Sequence, residues 1–253
     1  MAKRNLFSSS GNPFLKEKAF QNQSNEILDA GLDQAQRMTV QGAVNKSFLL
    51  FGLLMITTLV SYAIPNQLFM WTGAIGGLIA VLVTSFRPHL APTLAPVYAL
   101  LEGLFVGSVT RIYGEAFGGG IIFHAVTMTF ALLFSMLFIY KAGIIKVTGK
   151  FRMGVAMATM GIFLVYLANI ILGFFGVDMP FLHEGGLLGI GISVVIIGIA
   201  SLNLLLDFDN FEKGEQFGAP SYMEWFSAMG LLVTLVWLYI EMLRLISLLS
   251  GRD

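Results

Sequence analysis

Seven continuously apolar segments separated by short polar breaks constrain the fold of this chain more than any other feature. Each is close to the ~20 residues that an α-helix needs to cross a hydrocarbon core of ~30 Å. Apolar and polar residues do not alternate along them as they do in the strands of membrane barrels, which favours helices. The segments cover residues 47–64, 68–86, 93–112, 120–140, 154–176, 187–207 and 224–248. The predicted fold is all-α, a polytopic membrane protein with seven transmembrane helices.

The composition of the chain supports lipid as the solvent for most of its surface. The 253 residues are 56% hydrophobic and only 12% charged, with a mean hydropathy of +0.79. Soluble domains carry about 25% charged residues. The formal net charge is zero and no basic patch is present, which argues against a nucleic-acid partner. The lipid bilayer is therefore the first predicted partner.

The polar breaks predict where the helices end. Proline or glycine marks the breaks at Pro65, Pro88 and Gly118, because these residues interrupt helices. The sixth apolar run stops at Asp207, so we expect that helix to end there. The sequence "SYME", residues 221–224, predicts a capping box that starts the seventh helix.

The chain before the first apolar segment is polar and contains the sequence "SSSGNPF". A secretory signal peptide would place its apolar region within the first 15–30 residues. The first apolar run starts later, so we expect it to remain as a membrane helix. Two regions are predicted: a cytoplasmic tail, 1–46, and a seven-helix domain, 47–253. The tail is either solvated or forms a surface helix within 24–44.

The distribution of Lys and Arg predicts the orientation of the chain. With the N-terminus in the cytoplasm, 12 of the 15 Lys and Arg residues lie on the cytoplasmic side. The remaining three (Arg111, Arg244 and Arg252) lie on the outer side. Cytoplasmic loops carry an excess of Lys and Arg. The prediction is therefore an N-terminus inside and a C-terminus outside.

Several polar residues fall within the apolar segments, where a charged side chain is costly and its position is informative. Glu102 lies near the middle of the third segment, and Glu241 lies in the outer part of the seventh. Asn203 and Asp207 are four residues apart and share a helix face, while Thr234 is central in the seventh segment. The alternatives are an interhelical hydrogen bond for Asn203 and an ion pair with Arg244 or Arg111 for Glu241.

Small residues within the segments predict close helix packing. Gly73, Gly76 and Gly77 in the second segment and Gly185, Gly189 and Gly198 around the sixth are the candidates.

The sequence contains no recognisable catalytic arrangement. There are no cysteines, and the three histidines are too far apart for a zinc-binding helix motif. No phosphate-binding glycine loop and no nucleophile motif of hydrolases is present. We therefore expect neither an enzyme nor a resident cofactor, and the sequence leaves metal binding open.

An excess of acids follows the sixth apolar run. Asp207, Asp209, Glu212 and Glu215 accompany a single nearby base, Lys213. A membrane mouth with this excess of negative charge attracts cations and repels anions.

These features together resemble the Bax inhibitor-1/YccA family. The resemblance rests on the seven spans, the tail with "SSSGNPF", the aspartate closing the sixth span and the ending "LYIEMLRLISLLSGRD". It implies six helices that surround a central seventh helix. It also implies a pH-sensitive calcium leak gated by two aspartates, on the sixth and seventh spans. Asp207 matches the first of them.

The second aspartate of that pair is replaced in this chain. Aligning the family's Leu-Leu-Arg ending on Met242–Arg244 places Thr234 at its position. Two carboxylates that share a proton titrate as a coupled pair. Without that pair, we expect weaker or differently placed pH gating, with Asn203 and Asp209 as further candidate gate residues.

Two functions therefore follow from the sequence. The first is a pH-modulated cation leak channel, with calcium as the transported ion, Asp207 at the cytoplasmic gate and Glu102 and Glu241 along the path. The alternative is a regulator without transport that binds a membrane-anchored AAA protease or another membrane protein through its tail. A proton-coupled transporter is a third option. The absence of cysteine and of a presequence is typical of a bacterial inner-membrane protein.

Overall fold

Seven long helices form the protein in the computed structural model, which describes residues 37–175 and 186–251. All seven are long and apolar enough to cross a membrane, as the sequence predicts. The helices are α1 (Val40–Ala63), α2 (Gln67–Phe86), α3 (Ala91–Phe117), α4 (Gly120–Lys141), α5 (Gly149–Phe174), α6 (Leu187–Gln216) and α7 (Tyr222–Ser250). A short 3₁₀ turn, Pro88–Leu90, joins α2 to α3.

The helix boundaries have local causes in the sequence. Asn66 caps α2 and Thr148 caps α5, each accepting a hydrogen bond from a backbone N–H of the first turn. Gly118 follows the end of α3 with a φ of 84°, a conformation that glycine adopts without steric cost. These residues define the ends of helices at breaks where the chain reverses direction.

Two predicted boundaries differ from the structure. α6 does not end at Asp207 but continues to Gln216, so this aspartate lies inside the helix. The helix continues beyond the apolar run because residues 207–211 and Gly214 remain buried against other helices despite the polar sequence. At the other end of the chain, α1 begins at Val40, before the apolar run that starts at Ser47. Residues 1–36 of the predicted tail lie outside the described residues.

The helices alternate in direction, which defines two faces of the bundle. We call the end where α1, α3, α5 and α7 begin the tail face, and the opposite end the far face. Contacts near the tail face join the end of α4 to that of α6, and the start of α1 to that of α7. Contacts near the far face join the end of α1 to α3.

α7 is the central helix of the bundle. It packs against α1, α3, α4 and α6, and α5 reaches it through a tyrosine side chain. α2 packs mainly on the outer side of α3, and α5 packs on α6. α6 and α7 are the most buried of the seven helices. A polar residue on α7 is therefore enclosed by neighbouring helices.

Glycines allow the closest helix contacts. Gly103 and Gly107, one turn apart on α3, lie against the backbone carbonyls of Leu54 and Thr58 on α1. This small-xxx-small spacing is typical of tight packing between membrane helices. Gly73 similarly meets α3, as the sequence predicts, whereas the expectation for Gly198 is wrong because the space around it is open. The predicted packing glycine Gly185 lies outside the described residues.

Candidate functional site

Asp207 lies buried against the central helix. Its side chain comes from α6 and is only 5% exposed. The Thr234 hydroxyl on α7 lies beside its carboxyl and donates to the Gly230 carbonyl at 3.2 Å. The Asp207 Oδ2 atom has no hydrogen-bond partner among the described residues. The structure thus places these two candidate gate residues face to face and leaves one buried carboxyl oxygen unsatisfied.

A buried arginine pairs with the acid nearest to Asp207 along α6. Arg152, at the start of α5, pairs with Asp209 Oδ2 and donates to Asn210 Oδ1 at 2.8 Å. Lys213 Nζ lies 3.1 Å from the same Asp209 oxygen. Arg152 also interacts electrostatically with Asp207. Two acids and two bases therefore form one cluster, which we call the tail-half cluster.

Asn203 takes part in a different contact from Asp207, although the two share a helix face. Its Nδ2 group donates to the Thr159 hydroxyl on α5 at 2.8 Å and to the Ile199 carbonyl at 2.9 Å. Asn203 is thus an interhelical hydrogen bonder that joins α6 to α5. Asp209, two residues after Asp207, points to Arg152 instead of to α7.

The acids nearer the tail face also have partners. Glu212 accepts a hydrogen bond from the Tyr140 hydroxyl at 2.7 Å and lies 3.1 Å from Lys141 Nζ. Glu215 accepts the Val40 backbone N–H at 3.1 Å. The count of four acids against one lysine in the sequence understates the positive charge, because α4 and α5 contribute further basic partners.

The segment before α1 docks on the loop between α6 and α7. We call Arg37–Thr39 the docked segment. The backbone of Arg37 bridges to Pro220, and the Met38 N–H donates to the Ala219 carbonyl at 2.6 Å. The Met38 side chain is fully buried. The start of α1 is therefore fastened to the two most buried helices.

Glu224 completes this attachment instead of capping its own helix. Its carboxylate accepts hydrogen bonds from the Thr39 N–H at 2.8 Å and the Thr39 hydroxyl at 3.1 Å, and pairs with Lys46. Ser221 makes no side-chain capping bond, so the predicted capping box is wrong. The carboxylate turns to α1 because a lysine and a backbone N–H lie there.

Glu241 belongs to a separate cluster in the far half of the bundle. The Tyr166 hydroxyl on α5 donates to its Oε1 atom. Arg244 Nη1 donates to the Tyr166 hydroxyl at 2.6 Å and lies 3.5 Å from Glu241 Oε2. Of the two arginines considered from the sequence, Arg244 is therefore the partner. We call these three residues the far-half cluster.

Glu102 lies apart from both clusters. Its carboxyl group faces α2 beside Gly77, where a Cβ atom would come within 2.6 Å of Oε2. The ring of Tyr98 lies on the same side, one turn earlier on α3. Glu102 is thus placed at the α2–α3 contact, whereas Asp207 faces the central helix and Glu241 lies on it.

Sequence reasoning missed Arg152 and Tyr166. In the sequence, Arg152 resembles any base near a helix terminus, and Tyr166, in an apolar run, resembles a packing residue. Only the rotation of α5 about its axis brings both side chains to the polar clusters. Within residues 37–175 and 186–251, no three His, Asp or Glu residues are grouped to hold a metal ion.

The fold and these clusters define a class: a seven-helix membrane protein with buried acids on α6 and α7 that pair with arginines at two levels of the bundle. The chain belongs to the Bax inhibitor 1 like family, whose model matches residues 12–251. No curated protein sequence matches this chain.

Proposed function

We propose that this protein is a pH-modulated cation leak channel, with calcium as the transported ion. The gate is the tail-half cluster, on the cytoplasmic side of a bacterial inner membrane. No catalytic step and no resident cofactor belong to this proposal.

The buried Asp207 with its unsatisfied Oδ2 atom is the observation that supports this proposal. A carboxylate within a membrane protein is costly and is retained mainly where ions or protons pass. The Asp207 carboxyl lies beside Thr234 on the central helix, and the positive charge of Arg152 on α5 acts on it. Its protonation state therefore changes the forces between three helices, which links the gate to pH.

Arg152 keeps the proposed gate closed to cations. Its guanidinium lies among acceptors that would otherwise attract a cation, namely Asp209 and Asn210. A cation entering from the tail face has to displace this positive charge. In the far half, Arg244 similarly lies beside Glu241, so a second positive charge opposes conduction at that level.

Calcium flux into dye-loaded liposomes tests the proposal. The purified protein and Asp207→Asn are compared near pH 6 and near pH 8, which bracket neutrality. We expect a pH-dependent flux in the native protein and a ratio close to one in Asp207→Asn. This substitution keeps the shape of a buried side chain and removes its charge, so the fold is retained.

Glu115→Gln is the matched control, since it also removes one negative charge but from an exposed side chain near the far face. It is expected to keep the native pH response. The same pH response in Asp207→Asn would refute Asp207 as the sensor. No flux above empty liposomes at either pH would refute the channel.

The docked segment supports a second candidate function, a regulator that binds a membrane-anchored AAA protease through its tail. A partner holding the tail would act directly on α6 and α7, because Met38 binds Ala219 between them. Deleting residues 1–36 removes most of the tail and leaves the docked segment in place. Loss of protease capture in pull-downs, with calcium flux unchanged, would support this role, and unchanged capture would refute it.

A further inference from the structure

An apolar cavity opens between α1 and α4 in the far half of the bundle. Its volume is about 660 Å³, within the range of ligand-binding pockets. α3 and α7 form its inner wall through residues such as Val106, Leu232 and Val236. At its deep end the rings of Phe51 and Phe130 meet edge to face, with centroids 5.9 Å apart. These two rings thus close the end of the cavity that lies nearer the tail face.

The length of the cavity matches one leaflet of a bilayer. Its lining on α1 runs from Phe51 to Tyr62, which spans roughly 16 Å at 1.5 Å per residue. Half of a hydrocarbon core of ~30 Å is about the same length. The residues at its side opening, Leu59 and Phe123, are largely exposed in a part of the chain that faces lipid. An acyl chain can therefore enter sideways and lie along the helices.

Two polar groups lie where the polar end of such a chain would be. Thr58 lines the cavity, and its buried Oγ1 atom has no hydrogen-bond partner in the described part of the chain. One turn further along α1, the Tyr62 carbonyl accepts from Arg111 Nη1 at 2.9 Å. Arg111 Nε also donates to Glu115 at 2.7 Å, which leaves three of its five N–H groups for another acceptor.

The spacing of these groups resembles the polar end of a glycerophospholipid. Thr58 and Tyr62 are separated by about one helix turn, ~6 Å. A phosphate and the ester carbonyl of the same lipid molecule lie at a similar separation. Arg binds phosphate well because its planar guanidinium presents several donors at once. A free fatty acid has one polar group and would leave Thr58 or Arg111 without this contact. An alkane would leave both without it.

We propose that this cavity binds one acyl chain of a glycerophospholipid, with an ester carbonyl at Thr58 and the phosphate at Arg111. The lipid comes from the leaflet at the far face. It differs from the annular lipid that covers the rest of the surface because the cavity reaches the central helix α7. Asp207 and the tail-half cluster do not line it, so this site is separate from the proposed gate.

Native mass spectrometry of the delipidated full chain in detergent tests the site. The probes are dipalmitoyl phosphatidylglycerol and dipalmitoylglycerol, which share both acyl chains but differ in the phosphate. We expect one phosphatidylglycerol molecule to be retained, and to bind more tightly than dipalmitoylglycerol. Arg111→Gln is expected to weaken phosphatidylglycerol binding about tenfold, as for the loss of a charged hydrogen bond. Dipalmitoylglycerol binding is expected to stay unchanged.

Val126→Trp fills the cavity, because Val126 on α4 lines it and is partly exposed. Val83→Trp is its matched control, since Val83 has similar exposure on α2 but lies outside the cavity. Val126→Trp is expected to lose binding of both lipids, and Val83→Trp to keep it. Equal retention in both variants would overturn the proposal. Equal weakening of both lipids by Arg111→Gln would overturn the phosphate contact, and no retained lipid in the unmodified protein would overturn the site, whatever the variants do.

Discussion

At the scale of single residues, we expect the ion pair between Arg152 and Asp209 to have the largest electrostatic effect on stability. Both side chains are buried, and the guanidinium also holds Asn210. A buried pair contributes little net stability compared with an apolar pair of the same shape. Removing only the arginine is different, because Asp209 then stays buried with only the partly exposed Lys213 as its partner.

Arg152→Gln is expected to lower the free energy of unfolding by less than the ~3–5 kcal/mol of a fully uncompensated buried charge, because Lys213 stays beside Asp209. The double variant Arg152→Gln with Asp209→Asn is expected to recover most of that loss, since the buried carboxylate is gone and the remaining Lys213 is partly exposed. Unfolding in detergent, followed by circular dichroism, measures both. A double variant as unstable as the single one would show that packing, not charge, is the cause.

Thr234→Asp tests the position at which the family resemblance implies a second aspartate. Thr234 already faces the Asp207 carboxyl, so the substitution places two carboxylates at one site. Carboxylates this close titrate as a coupled pair, and we expect calcium flux to vary more steeply with pH. Thr234→Asn is the control of similar size without the charge. Identical pH profiles for the two variants would contradict the coupling.

At the scale of elements, the contact between α1 and α3 depends on backbone proximity. Gly107 lies directly against the Thr58 carbonyl, and Ser61 Oγ donates to the Leu104 carbonyl at 2.7 Å. Any side chain at position 107 pushes the two helices apart. Packing of this kind provides much of the association between membrane helices, because lipid is as apolar as their side chains.

Gly107→Ala is therefore expected to destabilise the protein, although alanine is the better helix former by about 1 kcal/mol. Gly154→Ala on α5 is the matched control, because a Cβ atom there meets nothing within 4 Å. The control is expected to be neutral or stabilising. Thermal unfolding in detergent compares them, and a stable Gly107→Ala protein would show that α1 and α3 can move apart at little cost.

At the scale of the whole molecule, we expect charge outside the bundle core to set the orientation in the membrane. Among the described residues, the positive side chains concentrate at the tail face, which we expect to lie in the cytoplasm. The chain contains no cysteine, so a single introduced cysteine reports one position. Gln67 near the far face and Ala142 near the tail face are both exposed.

An impermeant maleimide added to intact cells is expected to label Gln67→Cys but not Ala142→Cys. Permeabilised cells are expected to show labelling of both variants. The reverse pattern in intact cells would invert the topology and place the tail-half cluster outside.

The number and type of the elements could be predicted from the sequence because lipid imposes simple rules. A segment of sufficient apolar length has to satisfy its backbone hydrogen bonds internally, which makes it a helix wherever it lies in the bundle. Proline, asparagine and glycine at the breaks act locally, so α2 and the end of α3 could also be located. The buried acids were visible for the same reason, since Asp207 and Glu241 interrupt apolar runs.

The partners of those acids depend on the rotation and packing of whole helices, which no local pattern encodes. α6 continues to Gln216 because its polar turns are covered by α4 and α5, not because of its own residues. Glu224 leaves its own helix for Thr39 because the start of α1 lies beside it. The sequence by itself therefore determined a seven-helix membrane protein with acids in its interior. The tertiary structure decided that Thr234 faces Asp207, that Arg152 balances Asp209 and that Glu102 lies apart, because side chains from distant segments meet only after the helices pack.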